Sequence, residues 1–427
     1  MEALRASILH CLADPGEGSK PAAWEYFEDG LLAVHDGRIV DAGPADAVRA
    51  RLPADIEVTD YAGKLIVPGF IDCHVHFPQL DIIGSYGAQL LDWLNQYAYP
   101  VEAKFADPDH AREVANAFVD ELLRNGTTTA LVFGTVHAHS ADAIFEAAEA
   151  RSMRLIAGKV LMDSNCPEEL RDSPDSGYAE SKALIERWHG KGRLGYAITP
   201  RFALTSSPEQ LAAAGKLADE YPDTWIHTHL AENMDEVEQI ARQFPDSRSY
   251  LDVYEQFGLV RERAVFAHCL HMNDQDRASM ATNRAAAAFC PTSNLFLGSG
   301  LFDLTAMREA GVCCGLGTDV GGGTSLSLLR TASEAYKVLH LREHALPATQ
   351  ALYLATLGAA EALRLEDKIG NFEEGKEADF AVLDFEGSNL TARRCAAAST
   401  IEEKLFALMT LADDRNVAAT YVEGRLA

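Results

Sequence analysis

The chain has too few basic residues for its size: 37 Lys and Arg stand against 64 Asp and Glu, a formal net charge of −27. So acidic a chain repels phosphate backbones and anionic lipid headgroups, so nucleic acid and membrane surfaces are excluded as partners. No apolar stretch reaches the roughly 18 residues that a membrane span requires. The first residues, MEALRASILHCLADPGEGSK, have no positive start followed by an apolar run, so no secretory signal is read and the protein is expected to be cytoplasmic. None of the eight cysteines forms a C-x-x-C pair, and the adjacent Cys313 and Cys314 could be joined only with strain. They read as small buried hydrophobes of a reducing compartment. Repeats and low-complexity segments are absent as well.

What is present is ample material for a core. With 427 residues, 48% of them hydrophobic, the chain exceeds the roughly 250–300 residues at which single cores stop growing. One large domain and one smaller domain are expected. Between about residue 64 and residue 320, short apolar runs alternate with longer amphipathic stretches: KLIVPGFIDCHVH, TTTALVFGT, RLIAGKVLMD, RLGYAITPR, TWIHTHLAE, AVFAHCL, AAAAFCPTS and VCCGLGTDV. Each run is too short for a helix and reads as a buried parallel strand. DPDHAREVANAFVDELLRNG carries apolar residues at helical spacing and closes on Asn125-Gly126, a helix stop. Eight strands alternating with helices predict an α/β fold, a closed (β/α)8 TIM-like barrel. An open doubly wound sheet would need a glycine-rich phosphate turn after its first strand, and PGFIDCHVH is not one. At the ends, LLAVHDGRIVDAG with its Asp36-Gly37 hairpin signal, EADFAVLDF and NVAATYVEGRLA read as strands. Neither end can bury a core alone. The two are therefore expected to pair into a small β-sandwich made of residues 1–66 and 372–427, with the barrel spanning 67–371.

The chemistry-bearing residues fall at the ends of the predicted strands. His74 and His76 are two apart on the first barrel run, so both imidazoles point to one face, towards the barrel mouth where such folds build their sites. A lone H-x-H is a weak signal, but His229 closes the fifth run, His268 the sixth, and Asp319 follows Gly317-Thr318 at the eighth. Three of these histidines and the carboxylate would leave a position open for water, the pattern of a catalytic metal site. Glu232, three residues beyond His229, can reach the attacking water and carry its proton to a leaving group; its bland alternative is a solvated residue in the acidic start of a helix. His227 shares a face with His229 but lacks a glutamate three residues on. A second pair, His137 and His139, has no acidic partner and is expected to pack in a loop or touch the pocket. The fourth run, YAITPR, lacks the bridging lysine of two-metal hydrolases, and Lys159 belongs to the third, so a single metal is expected. No P-C-x-x-C zinc signature is present, which excludes the cytidine-deaminase-like fold.

PGFIDCHVHFPQ, DWLNQYAYPVEAKF, TPRFALTSS, HTHLAEN, FAHC, CPTSNLFLGSGLF and GLGTDVGGGTS, in this order, resemble the guanine deaminases of the amidohydrolase superfamily, and KIGNFEEGKEADFAVLD resembles their returning sandwich strand. The likeness spans nearly the whole chain. It implies one zinc per subunit on His74, His76, His229 and Asp319, with iron as the alternative metal. It implies Glu232 as proton shuttle and His268 as partner of the attacking water or developing oxyanion, with Asp319 completing the catalytic set. Gln79, Arg201 and Phe202 fall at positions that hold the purine, bordered by His229, Glu232 and Asp319. The planar guanidinium of Arg201 suits a carbonyl oxygen, and Gln79 offers a donor and an acceptor to ring nitrogens. The implied reaction is hydrolytic deamination of guanine to xanthine and ammonia, in a homodimer. The alternatives are a deaminase or chlorohydrolase of the same superfamily acting on another purine, an adenosine-like compound or a triazine, and a non-enzymatic scaffold. The last is expected to have lost a ligand, whereas all are present.

Overall fold

The computed structural model describes residues 1–87 and 89–427. Four strands come first: β1 Glu2–Cys11, β2 Trp24–His35, β3 Arg38–Pro44 and β4 Val58–Pro68. The parallel strands follow: β5 Phe70–His76, β6 Thr127–Phe133, β7 Arg154–Gly158, the two-residue β8 Val160–Leu161, β9 Leu194–Pro200, β10 Trp225–Leu230, β11 Ala264–His268, β12 Ala286–Phe289 and β13 Cys313–Leu316. The chain ends on β14 Phe380–Asp384, β15 Val417–Val422 and β16 Arg425–Leu426.

The eight apolar runs of the sequence all contain barrel strands, in the order β5-β6-β7-β9-β10-β11-β12-β13, with β8 pairing beside β9. The ring closes through the segment after β13, where the His76 N–H donates to the Val320 carbonyl at 2.9 Å and the Asp319 N–H to the His74 carbonyl at 2.8 Å. Every residue of β5, β6, β7 and β9 is buried, as expected of strands covered on both faces, and this is why they read as unbroken apolar runs rather than as alternation. The amphipathic stretch after the first motif forms the helix Pro108–Arg124, with Arg124 in its last turn. Two connecting helices start on a serine cap followed by proline, at Ser173-Pro174 and Ser207-Pro208, where the hydroxyl accepts a free backbone N–H.

The first run hides a boundary. KLIVPGFIDCHVH is two strands, not one: β4 ends at Pro68 and belongs to the other sheet, and β5 starts at Phe70. Both halves are apolar, so hydrophobicity alone could not separate them; Pro68-Gly69 marks the break.

The end strands join in one mostly antiparallel sheet, ordered β16-β15-β14-β4-β1-β2-β3. The Asp36-Gly37 turn links β2 to β3, and both of its residues have positive φ (49° and 74°), as a tight hairpin requires. Leu4 and Ile8 of β1, Leu32 of β2, Ile66 of β4, Phe380 and Val382 of β14 and Tyr421 of β15 form a single apolar cluster, so N- and C-terminal strands depend on one another for burial. Backbone proximity divides the chain into two compact units, one of Met1–Asp72, Glu121–Thr129 and Ser327–Ala427, the other of Cys73–Asp120 and Ala130–Leu326. Among the described residues no helix is long and apolar enough to cross a membrane.

One backbone approach inside the barrel gives a test of its packing. A Cβ on Gly158, at the end of β7, would stand 1.8 Å from the carbonyl oxygen of Ala197 on β9. Gly158→Ala is expected to cost at least about 2 kcal/mol in denaturant unfolding, because a main-chain oxygen cannot swing aside as a side chain can. An unchanged unfolding midpoint would contradict this packing.

Candidate functional site

The second unit gathers its polar side chains at the C-terminal ends of its strands. His74 and His76 are both drawn inward at the end of β5 by the two-residue period. His229 lies one residue before the end of β10, His268 ends β11, and Asp319 follows β13 by three residues. Asp319 Oδ1 is 3.1 Å from His74 Nε2 and 3.3 Å from His76 Nε2. His76 Nε2 is also 3.2 Å from His74 Nε2 and 3.2 Å from His229 Nε2. These four residues each offer a ligand atom within 4.8 Å of all the others.

The donor set fits a divalent cation. His229 Nδ1 faces the Arg201 carbonyl oxygen at 2.7 Å, an acceptor only, so the ring proton sits there and Nε2 presents a lone pair. His74 Nδ1 is backed by His227 Nε2 at 2.7 Å. Burial lowers His76 to about 4, and burial together with the neighbouring imidazoles holds His229 well below the usual histidine range. Ring nitrogens aimed at one point, with a carboxylate beside them, form the three-nitrogen, one-oxygen set that suits zinc or iron. Burial works to raise the Asp319 carboxyl, but the His74 and His76 imidazoles at hydrogen-bond distance from it outweigh burial and hold Asp319 well below the carboxylate range.

Glu232 and His268 face this cluster. Glu232 Oε2 lies 3.4 Å from His268 Nε2, and Ser299 Oγ donates to Glu232 Oε1 at 3.1 Å. Burial first, then the charges of Asp319 and Glu236, push the Glu232 carboxyl well above its usual value, which favours its protonated form. Its backbone is clamped from below: Glu236 Oε2 accepts the N–H groups of Glu232 (3.0 Å) and Asn233 (3.2 Å), and Tyr250 Oη donates to Glu236 Oε1 at 2.6 Å. Asn294 Nδ2 donates to His268 Nδ1 at 2.9 Å, leaving the proton of that ring on Nε2, 3.8 Å from Asp319 Oδ2. Burial lowers His268 to about 3, so it serves as a neutral donor. His268 and Asp319 both hold left-handed backbone (φ 74° and 49°), a strain of the kind that clusters at functional sites.

A pocket of about 410 Å³, part of it open to solvent, stands over the cluster. Leu90, Trp93, Leu94, Phe202 and Leu297 supply apolar walls, and His76, Gln79, Arg201, His229, Glu232, His268 and Asp319 supply its polar atoms. Every residue that the sequence singled out for the site therefore borders this pocket or, as with His74, supports its floor. The distractors sort themselves by position. His227 stands behind His74 and does not line the pocket. His139 Nε2 bonds the Phe105 carbonyl at 2.7 Å and stacks on His137, and no metal-competent group among the described residues includes either. Lys159 is fully buried against Asp172 and Glu180. Sequence reasoning missed Glu102, Glu236, Asn294 and Ser299. Glu102, Asn294 and Ser299 lie inside segments quoted for the resemblance, but nothing local marked them as partners of pocket residues.

The comparisons agree with this geometry. The model of the amidohydrolase family matches residues 65–427. A guanine deaminase of Escherichia coli (strain K12) is 52% identical over 95% of this chain and 92% of its own length. The solved structure of E. coli guanine deaminase superposes with a TM-score of 0.97 at 50% identity, covering 100% of this chain and 99% of that one. Guanine deaminase from C. acetobutylicum, solved with guanine bound in the active site, gives a TM-score of 0.89 at 27% identity, over 100% and 99% of the two chains. With a family model matched from β4 to the last residue and the strand-end donor set intact, this chain belongs to the amidohydrolase family.

Proposed function

We propose that this protein removes the exocyclic amine of guanine by hydrolysis, giving xanthine and ammonia. The observation that carries the reading is one pocket in which the four-donor cluster and the Glu232–His268 pair form the floor, while Gln79 and Arg201 form a polar wall. Its likeness to guanine deaminases over nearly the whole chain supports the same substrate.

His74, His76, His229 and Asp319 would hold one zinc, or iron. When bound there, such a cation lowers the pKa of water from about 15.7 towards roughly 7 and so supplies a nucleophile near neutral pH. The protein's own groups do the rest. Phe202 and the leucine walls exclude bulk water and hold the flat ring system. Arg201 donates to the carbonyl oxygen of guanine, and Gln79 orients its neighbouring ring nitrogen. Water adds to the carbon bearing the amine; Asp319 accepts a proton, and Glu232 delivers one to the adjacent ring nitrogen. The neutral Nε2–H of His268 donates to the oxygen being added and holds it in line with the carbon. Glu232 then takes the proton of the added hydroxyl and hands it to the amine, so that the C–N bond breaks, ammonia leaves and the new carbonyl forms; the proton held by Asp319 returns to Glu232.

Dialysis against a strong chelator is expected to abolish turnover of guanine, followed as loss of its ultraviolet band. Stoichiometric zinc or iron should restore it, and the metal that restores the higher rate identifies the working cation. Full activity in protein shown metal-free by elemental analysis would refute the reading.

A further inference from the structure

Glu102 ends the short helix Tyr99–Glu102, is almost completely buried, and takes no part in the steps above. Its carboxylate joins two pocket residues: Oε1 accepts from Gln79 Nε2 at 2.8 Å, and Oε2 accepts from Arg201 Nη1 at 2.5 Å. Tyr99, three residues earlier and on the same side of the helical turn, turns its ring face to the guanidinium, whose central carbon stands 5.1 Å from the ring centroid. One turn of helix thus supplies both an aromatic face beneath the Arg201 guanidinium and the anion that turns it. The far end of Gln79 is also tied, because its Oε1 accepts the Gly321 N–H at 3.1 Å. Two partners of opposite type fix which way this amide points.

The consequence is chemical. A guanidinium has donors and no acceptor, so the wall presented by Arg201 is donor-only wherever it meets a ligand. A carbonyl on the purine satisfies it. An amine at that position sets donor against donor in a buried place, and a bare C–H leaves the donor unpaired. Ion pairing alone does not account for Glu102, since two buried charges contribute little to stability compared with apolar side chains of similar size. Orientation is what the arrangement offers.

Resting on the reading of guanine as substrate, we propose that Glu102 is the positioning residue that makes this pocket select purines carrying a carbonyl at the Arg201 wall over purines with an amine or hydrogen there. Glu102 acts through Arg201 and Gln79 and touches no reacting atom.

The test compares guanine with 2-aminopurine, which keeps the amine to be removed and lacks the carbonyl. In metal-loaded Glu102→Gln the guanine to 2-aminopurine ratio of kcat/KM is expected to fall about 10–100-fold, the loss of a charge-assisted hydrogen bond, carried by a higher KM for guanine. Binding of hypoxanthine relative to 2-aminopurine, measured by calorimetry, should fall by a similar factor. Removing one partner leaves a buried guanidinium uncompensated and can unfold the protein. The double variant Glu102→Met with Arg201→Met is therefore measured alongside; it removes both charges and is expected to fold and to show the same loss of ratio. A ratio within threefold of the wild type in the folded variants, whatever the absolute rates, overturns the proposal and reduces Glu102 to a structural residue. Failure of the wild-type protein to deaminate guanine would instead overturn the substrate reading, and the binding ratio would still decide the role of Glu102.

Discussion

Glu232→Gln is expected to lower kcat for guanine by about 10³-fold while leaving KM and metal content close to those of the parent. The magnitude follows from the proton traffic assigned to this carboxyl: general acid–base catalysis contributes about 10²–10⁴-fold. Glutamine has the size of glutamate and can still accept the Ser299 hydroxyl at Oε1. Its backbone N–H would still reach Glu236. What it cannot do is take up and release a proton, and burial together with the Asp319 charge raises the proton affinity of Glu232 for that task. Steady-state kinetics paired with elemental analysis separate the two roles. A kcat within threefold of the parent would take the shuttle away from Glu232; a loss of metal would mean that it acts on the cluster rather than on the substrate.

The second large effect is expected at Asp319. Asp319→Asn keeps the shape but removes the only anion in the proposed donor set, whose oxygen meets His74 Nε2 and His76 Nε2 at 3.1 and 3.3 Å. Altering even an outer-shell partner of a metal ligand costs about 10–100-fold in affinity, so loss of the ligand itself should exceed that. Metal content after dialysis is expected to fall towards zero, and turnover to fall below that of Glu232→Gln. Excess metal should recover occupancy before activity, because Asp319 also serves as a proton acceptor in the proposed reaction. One cation per chain at normal affinity in this variant would remove the carboxylate from the donor set.

The different behaviour of these residues in the sequence has a physical basis. His74 and His76 were legible because the two-residue period of a strand sends both to one face, and barrel strands end at one mouth. His229, His268 and Asp319 followed from the same rule applied to later runs. Glu102 was not legible in this way. Its partners Gln79 and Arg201 are 23 and 99 residues away, and no local pattern links a glutamate on a short helix to an arginine after a distant strand. Asn294 is hidden for the same reason, since its hydrogen bond to His268 spans 26 residues. His227 could be weighed against His229 only by the glutamate that follows His229, whereas in three dimensions its ring stands behind His74.

By itself, the sequence determined the strand runs, the eightfold barrel, the pairing of the two chain ends and the residues at the strand ends, because burial and backbone period are written locally in residue type. Tertiary structure alone decided where KLIVPGFIDCHVH divides between two sheets, which ring nitrogen of each histidine faces the cluster, and which carboxylate holds Arg201. Those outcomes depend on which strands become neighbours and how closely their backbones approach, and hydrogen bonds a few ångströms long fix them only once the barrel has closed.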